Sequence, residues 1–407
     1  MELIHRKEIA MSKVKSKNIK RKGIFIVIRI IGILLLLVTF SSYLLIRGYI
    51  DKINIIDTQS NAYASNSLTK PLFQAVVETA EEIEQNPYGE YWIRDQTGEE
   101  VCAEQTEATG DSLEEEIKTL EDRIEINLAD QAQSKEVDQD VINILFIGSD
   151  TREAGDIGRS DAIILISISK RNKTITATSI LRDIYLQIPG CGKNRINTAY
   201  AYGGADLLME TVEQNFKIPV DRFVSVDFFS FIDIVDAIGG VTLPVTEAEI
   251  PVINFYIEEI NKLSGEEADQ DQLHKEGLLL LNGKQALGYS RNRYVGNADF
   301  ERTNRQRQVL EQIYLAIKDS NLLELNQLLN IILPGVTTNL TEGELFAFIL
   351  SLPIYKDYEL KQFRIPMKDT YTDMRIQGKQ VLGIDFEKNI DALWTKIYGA
   401  VINEGQQ

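Results

Sequence analysis

The chain has 407 residues, enough for one large domain or two ordinary ones with a well-buried core. Its formal net charge of −18 hides a split: residues 1–50 hold ten Lys or Arg against two acids, leaving 33 basic and 59 acidic residues in 51–407, a net of −26. Such a body repels nucleic acid over most of its surface, so nucleic-acid binding is excluded and any anion site has to be a local basic cluster.

The basic head is followed by "GIFIVIRIIGILLLLVTFSSYLLI", Gly23 to Ile46, about the ~20 residues that cross a ~30 Å hydrocarbon core. Lys13, Lys15, Lys17, Lys20, Arg21 and Lys22 precede it and the charge turns acidic after it. The positive-inside rule then predicts a cytoplasmic tail over 1–22, a single transmembrane helix over 23–47 and everything beyond outside the cytoplasm. Arg29 lies close enough to the cytoplasmic end to snorkel. A cleaved signal peptide competes, but its small-residue site, Ala62-Tyr63-Ala64, stands too far from the apolar run.

Residues 48–138 read as a polar stalk. Pro71, Pro87 and Gly89 interrupt its first part, where one helix is predicted near Pro71–Gln85. In 111–133, Leu113, Ile117, Leu120, Ile124 and Leu128 recur at helical steps behind a capping Asp111 or Ser112. About two heptads fall short of a coiled coil, so this helix either packs on the next domain or lets stalks self-associate. Cys102 and Cys191 make neither a disulfide framework nor a metal motif. They read as unpaired thiols, with a stalk-to-domain bridge open to them outside the cell.

Residues 139–401 carry a globular α/β texture. "VINILFIG" (141–148), "AIILISIS" (162–169) and "TITATSIL" (174–181) are strands covered on both faces or rich in β-branched residues. A helix follows over 203–216, a strand over 222–228 and a helix over 229–240 closed by Gly239-Gly240. The acidic stretch 246–276 reads as an irregular excursion with one helix over 253–262. Helices near 300–319, 341–351 and 386–401 and a strand near 359–365 complete a mixed central β-sheet with helices on both faces, an α/β/α arrangement.

In such sheets ligands bind outside the carboxyl ends of the strands. Asp150 follows the first strand and Arg182-Asp183 the third. Arg159 and Asp161 enter the strand between, two positions apart and so on one face. Asp150 with Asp161 suits Mg²⁺, which takes one or two carboxylates and leaves room for phosphate oxygens. Arg152 and Asp156 of the same loop read as solvated. A second cluster, "ALGYSRNRYVGNADFERTNRQRQVL" (286–310), puts five Arg within 291–307 against the acidic background. Arg291 and Arg293 share a face if extended, and Arg302, Arg305 and Gln306 share a helix face. Arg in place of Lys fits bidentate grip on phosphate. With His5 in the tail and His274 in the excursion, histidine-based catalysis has almost no candidates, and no Gly-rich phosphate loop or zinc set is present. What remains is metal-plus-arginine chemistry on phosphate.

"NILFIGSDTR…GRSDAIILISI…SILRDIYLQIPG…RINTAYAYGG", with "LLLLNGKQALGYSRNRYVGNADFERTNRQRQVL", resembles the LytR-CpsA-Psr family over about Asn143–Leu310. The resemblance implies a membrane-anchored, extracytoplasmic phosphotransferase that moves a glycan, a teichoic acid or capsular polymer, from a polyprenyl-pyrophosphate lipid to peptidoglycan. It implies Mg²⁺ on Asp150 and Asp161 and pyrophosphate contacts from Arg159, Arg182, Arg291, Arg293, Arg302 and Gln306. Arg159, Asp161 and Arg182 are the catalytic set. An apolar cleft for the lipid tail is assigned to Phe228, Phe231, Ile232, Val235 and Ile238, residues that core packing explains equally well. Thr198 departs from the family, where His often follows the "IN" pair, and Asp183 is the remaining candidate for a base. A pyrophosphate hydrolase and a non-catalytic lipid-binding regulator are the alternatives.

Overall fold

A computed structural model describes residues 43–56, 82–85, 91–94, 111–130, 140–149 and 159–399. The chain divides into two units, Met1–Lys52 and Ile53–Gln407. In the first, residues 43–50 are helical. Residues 23–42 of the predicted membrane span lie outside the described residues, and among those described no helix is long and apolar enough to cross a membrane.

The second unit is mixed α/β. Its strands, in chain order, begin with β1 (Asn54–Ile55), β2 (Glu82–Gln85) and β3 (Tyr91–Arg94). β4 (Val141–Ser149), β5 (Ser160–Ser169), β6 (Thr174–Ile180), β7 (Tyr185–Ile188) and β8 (Gly192–Arg195) follow. Then come β9 (Arg222–Val226), β10 (Val241–Val245), β11 (Gly277–Leu281) and β12 (Val336–Thr338), and last β13 (Glu359–Ile365), β14 (Tyr371–Ile376) and β15 (Lys379–Ile384). The central sheet has seven strands in the order β1-β12-β9-β4-β5-β6-β13. β4, β9, β6 and β13 run one way, because β4 pairs parallel with β9, β6 parallel with β13, and β5 antiparallel with both β4 and β6. Their carboxyl ends therefore share one edge with the start of β5.

Alternation along the strands splits the packing between two faces. Leu145 and Ile147 of β4 and Ile163 and Leu165 of β5 enter one large cluster. It is completed by helices α1 (Asp111–Ala129), α2 (Thr198–Phe216) and α9 (Phe386–Tyr398) and by the β14–β15 hairpin. Ile166 and Ile168 face the other way, onto Phe348, Tyr355 and Tyr358 around helix α8 (Glu342–Tyr355). Each fully buried Leu or Ile contributes about 1.5–3 kcal/mol relative to exposure.

The predicted helix over 111–133 forms as α1, and Leu120 and Ile124 are buried in that large cluster. Asn127 donates to the Asn215 carbonyl at 2.9 Å, so α1 is a packed element of the domain. The helix expected near Pro71–Gln85 is a strand over 82–85, paired with β3, and its remainder lies outside the described residues. Alternation in "EIEQ" with the aromatic and β-branched "YWIR" favours the ladder over a helix. The reading of Cys191 as an unpaired thiol is corrected: it sits half-buried at the β7–β8 turn in a disulfide bond. The chain's other cysteine, Cys102, lies outside the described residues. Sequence separation hides such a bridge, because only the fold brings a turn within reach of a distant segment.

The excursion is ordered. β10 and β11 form a hairpin arm whose connection carries helix α4 (Ile250–Ser264). Asn261 donates to the Gln270 carbonyl at 2.8 Å and Lys284 pairs with Glu266 at 2.7 Å, tying the polar return back onto the fold. Helix α3 (Phe228–Ala237) stops, as predicted, before Gly239-Gly240. At Gly240 φ is +93° and a side chain would meet the Leu281 carbonyl at 2.7 Å, so only glycine fits.

Candidate active site

Four elements deliver side chains to the carboxyl edge. Arg182 and Asp183 leave β6, Asp161 opens β5, and Asp299 and Arg302 lie in the first turns of helix α6 (Ala298–Asp319). Arg291 closes helix α5 (Gly283–Arg291), whose entry is fixed by a capping box between Asn282 and Gln285.

Arg182 is the hub. Its Nη1 donates to Asp161 Oδ1 at 2.7 Å and its Nε to Asp299 Oδ2 at 3.3 Å, with Asp183 Oδ2 at 3.7 Å. Arg302 Nη2 reaches the same Asp299 oxygen at 3.1 Å, and Arg195 Nη1 holds Asp183 Oδ1 at 3.1 Å. Among the described residues, the buried Nε atoms of Arg302 and Arg195 have no hydrogen-bond acceptor.

Burial works against every one of these charges, and the neighbours decide the outcome. Burial pushes Asp161 up, but Arg182, Arg302 and Arg291 hold it below the usual carboxylate range. Burial likewise opposes Arg182, yet Asp299, Asp161 and Asp183 keep it more basic than an ordinary guanidinium. Asp183 is pushed up to about 6, first by burial, which Arg182 opposes, and then by its hydrogen bond to Asp299. Asp299 moves down, because Arg302, Arg182 and that shared hydrogen bond outweigh burial. Of the two neighbouring carboxyls Asp183 is thus the raised one and Asp299 the lowered one.

Arg159, Asp161, Arg182 and Arg302 gather within one electrostatic neighbourhood. Arg291 joins them from the far side: its Nη1 holds Glu259 at 2.9 Å, and its guanidinium lies 4.5 Å from the Phe228 ring centroid and 4.2 Å from that of Tyr256. Arg293 reaches Asp299 through its field and lies 5.6 Å from the Tyr294 centroid. Gln306 follows Arg302 by one turn and is half-buried. Asp150, Arg152 and Asp156 lie outside the described residues.

Arg305 is a correction to the predicted helix face. Its Nε donates to Glu249 Oε1 at 2.7 Å, Nη1 to the Asn292 carbonyl at 2.7 Å and Nη2 to the Val295 carbonyl at 2.9 Å, so it clamps the loop that carries Arg293. Arg307 turns to β6 and β13, donating to Ser179 Oγ at 2.9 Å and Gln362 Oε1 at 3.2 Å. Thr198 donates to the Arg195 carbonyl at 2.6 Å, a local turn contact.

Of the residues assigned to a lipid cleft, Val235 is fully buried in the cluster beneath the β10–β11 arm, and Phe228 and Ile232 pack with Ile260 and Leu287. Phe231 bridges both clusters. Ile238, which packs against the cluster beneath the β10–β11 arm, also lines an open cleft of about 560 Å³ with Ala316 of α6 and Leu328 and Ile331 of helix α7 (Leu322–Ile332).

Sequence reasoning missed Asp299, Glu259, Tyr256 and Arg195. Asp299 stands inside the quoted arginine-rich run, where the excess of Arg hid the one acid that organises it. Glu259 and Tyr256 lie on the helix expected over 253–262, but no spacing rule links α4 to a site 32 residues later.

The fold and the site define a mixed α/β protein that gathers arginines and carboxylates at the carboxyl edge of its sheet. Residues 104–397 match the LytR_cpsA_psr family, and the chain belongs to that family. It is 37% identical over 210 residues to the polyisoprenyl-teichoic acid–peptidoglycan teichoic acid transferase TagU of Bacillus licheniformis, covering 51% of this chain and 62% of TagU. It therefore spans less than two thirds of that relative's length. It is 31% identical over 234 residues to the regulatory protein MsrR of Staphylococcus aureus, covering 57% of this chain and 67% of MsrR. The structure of TagT bound to LI-WTA superposes with a TM-score of 0.51 at 28% identity, over 65% of this chain and 92% of TagT.

Proposed function

We propose that this protein is a membrane-anchored, extracytoplasmic phosphotransferase that moves a glycan from a polyprenyl-pyrophosphate lipid to peptidoglycan. The observation that carries the reading is the Arg182 hub at the sheet edge, with Asp161, Asp299 and Arg302 around it and a buried Arg302 donor left open among the described residues. The relatives named as teichoic acid transferases support the substrate class. The apolar run 23–46 behind a basic tail supports the anchor and the external placement, with 48–138 as stalk.

Pyrophosphate oxygens are met by Arg159, Arg182, Arg291, Arg293, Arg302 and Gln306, whose charges and donors offset the two to three negative charges of a pyrophosphate diester. A hydroxyl of peptidoglycan attacks the sugar-linked phosphorus. The new P–O bond forms as the bridging P–O–P bond breaks, and polyprenyl phosphate leaves with the bond's electron pair. The hydroxyl proton passes to Asp183, which is available as a carboxylate above about pH 6. Arg182 and Arg302 stabilise the charge on the leaving phosphate, an effect of ~3–4 kcal/mol per key donor. Asp161, held ionised, has the hard oxygen donor that Mg²⁺ takes, with Asp150 as its partner in this reading. Among the described residues no group of three or more His, Cys, Asp or Glu forms a denser cage. When bound, Mg²⁺ supplies charge neutralisation at the phosphate oxygens. The apolar side of Arg291, against Phe228 and Tyr256, faces the lipid.

Reconstitution with a lipid-pyrophosphate glycan, peptidoglycan and Mg²⁺ tests the reading. Wall-linked product is expected from the wild type, and none from Arg159→Ala or Asp161→Ala with unchanged circular dichroism. Release of free phosphorylated glycan identifies a hydrolase instead. Donor binding without turnover identifies a regulator of the kind that MsrR's name describes.

A further inference from the structure

The chain that leaves the apolar run enters the sheet at a defined place. The run ends at Ile46 and β1 begins at Asn54, so residues 47–53, seven in all, connect them. Fully extended, seven residues reach about 25 Å. β1 pairs parallel with β12, and β12 antiparallel with β9, with Val336 opposite Val226 at the end of β9. Both β1 and β12 therefore start at the carboxyl edge of the sheet, the edge that carries the Arg182 hub. Asn54 Nδ2 donates to Thr337 Oγ1 at 3.2 Å and the Ile56 N–H to the Thr338 carbonyl at 2.8 Å, which fixes that entry.

At this corner apolar side chains stand in the open. Asp227 caps α3 by accepting from the Ser230 N–H at 2.8 Å, so the helix starts directly after β9 with Phe228 and Phe229 in its first turn. Successive helical residues point about 100° apart, so Phe228 is buried against Arg291 while Phe229 is exposed. Ile331 near the end of α7 and Pro334 in the turn leading into β12 are exposed too. A side chain at Gly335 would meet Ser230 Oγ at 2.5 Å, which makes that turn and the start of α3 neighbours. α7 itself, "LLELNQLLNII", carries one charged residue, Glu324. Exposure alone does not single out this corner, since Leu350 and Ile354 of α8 are exposed as well. Tyr355 of α8, however, belongs to a cluster that takes in Ile142 at the start of β4 and Ile175 at the start of β6, at the opposite edge. The seven-residue tether selects the corner at Phe229.

We propose that Phe229, Ile331 and Pro334 rest on the extracytoplasmic surface of the lipid bilayer that holds the apolar run, so that the carboxyl edge of the sheet faces the membrane. The inference rests on the membrane-anchored reading and adds an orientation to it. The contact is apolar: the body of the chain is acidic, so a neutral leaflet suffices and an anionic one adds no attraction. Because Phe228 and Phe229 are adjacent, the bilayer face adjoins the arginine stacked on Phe228, and a donor whose tail stays in the leaflet meets the site at the surface.

The test reconstitutes the full chain in phosphatidylcholine vesicles without donor, with a photoreactive diazirine side chain placed at position 229, 331 or 354. Mass spectrometry after illumination reads the adducts. Positions 229 and 331 should each give at least about fivefold more phospholipid adduct than 354. Phe229→Asp should lower the yield at 331 by about fivefold, and Ile354→Asp should leave it unchanged. Equal yields at the three positions, no adduct at 229 and 331, equal effects of the two Asp variants, or adduct to a second copy of the chain in place of lipid overturns the contact. Alkaline extraction of the same vesicles separates the failures. A released chain has no anchor, and both readings fall; a retained chain without adducts loses the contact alone.

Discussion

Arg302 and Arg305 lie three residues apart on α6 and are buried to 3% and 5%, yet their surroundings differ in kind. Arg305 spends Nε, Nη1 and Nη2 inside the protein, on Glu249 and two backbone carbonyls. Arg302 shares one carboxylate oxygen with Arg182 and keeps a buried Nε unpaired among the described residues. A saturated arginine is a strut, because a ligand could only displace bonds already made. An arginine with an unspent buried donor is a receptor, because an incoming oxygen relieves a desolvation cost that the free protein carries. The residue type is the same; the count of spent donors separates the roles.

The strut side gives the largest effect. Arg305→Met strands Glu249, which is 4% exposed, so unfolding free energy should fall by about 3–5 kcal/mol in urea titration. Adding Glu249→Gln should restore a large part of that loss. If Arg305→Met instead removes transfer while leaving the urea midpoint unchanged, the distinction fails.

The receptor side should respond in rate before stability. Arg302→Lys keeps the charge near Asp299 but loses the fork, and transfer should drop by about a hundredfold or more. The thermal midpoint, measured alongside, should move only slightly.

The raised Asp183 carboxyl sharpens the receptor side further. With Asp183 raised to about 6, the folded state holds a proton that the unfolded chain has released, so this group's stabilisation is present below the unfolded value and lost as pH rises through about 6. Asp161 has the opposite sign, being lowered, and its stabilisation is lost as pH falls. Transfer should climb with pH across that same window near 6, and Asp183→Asn should abolish both the climb and most of the rate. A carboxyl carbon NMR titration that places Asp183 near its ordinary value would remove it as the proton acceptor.

The smallest effect is expected where neither role applies. Arg222 pairs with Glu344 at 2.9 Å, with both side chains about a third exposed, and Arg222→Ala should cost about 0.2–1 kcal/mol, shrinking further in high salt.

Much of the frame was legible because it depends on short-range pattern. The runs 141–148, 162–169 and 174–181 are strands within one or two residues, and Gly239-Gly240 ends α3 where a left-handed stop was expected. Asp161, Arg182 and Arg302 were found from their positions after strands and at helical spacing, and the fold brings them to one edge. The helix expected over 253–262 forms as α4, but segment 82–85 was misjudged and the β10–β11 arm around α4 was not foreseen, because a short ladder or such an arm is stabilised by partners far along the chain.

From the sequence by itself come the α/β class, the sheet edge where charge collects and the residue types placed there, since these follow from local periodicity and from strand ends. Only the tertiary structure decided which arginine is spent and which is open, that Asp183 is raised while Asp299 is lowered, and that Glu259 and Tyr256 flank Arg291. Those outcomes depend on burial and on distances between groups up to 117 residues apart, where desolvation and Coulomb terms of similar size oppose each other and geometry alone sets the sign.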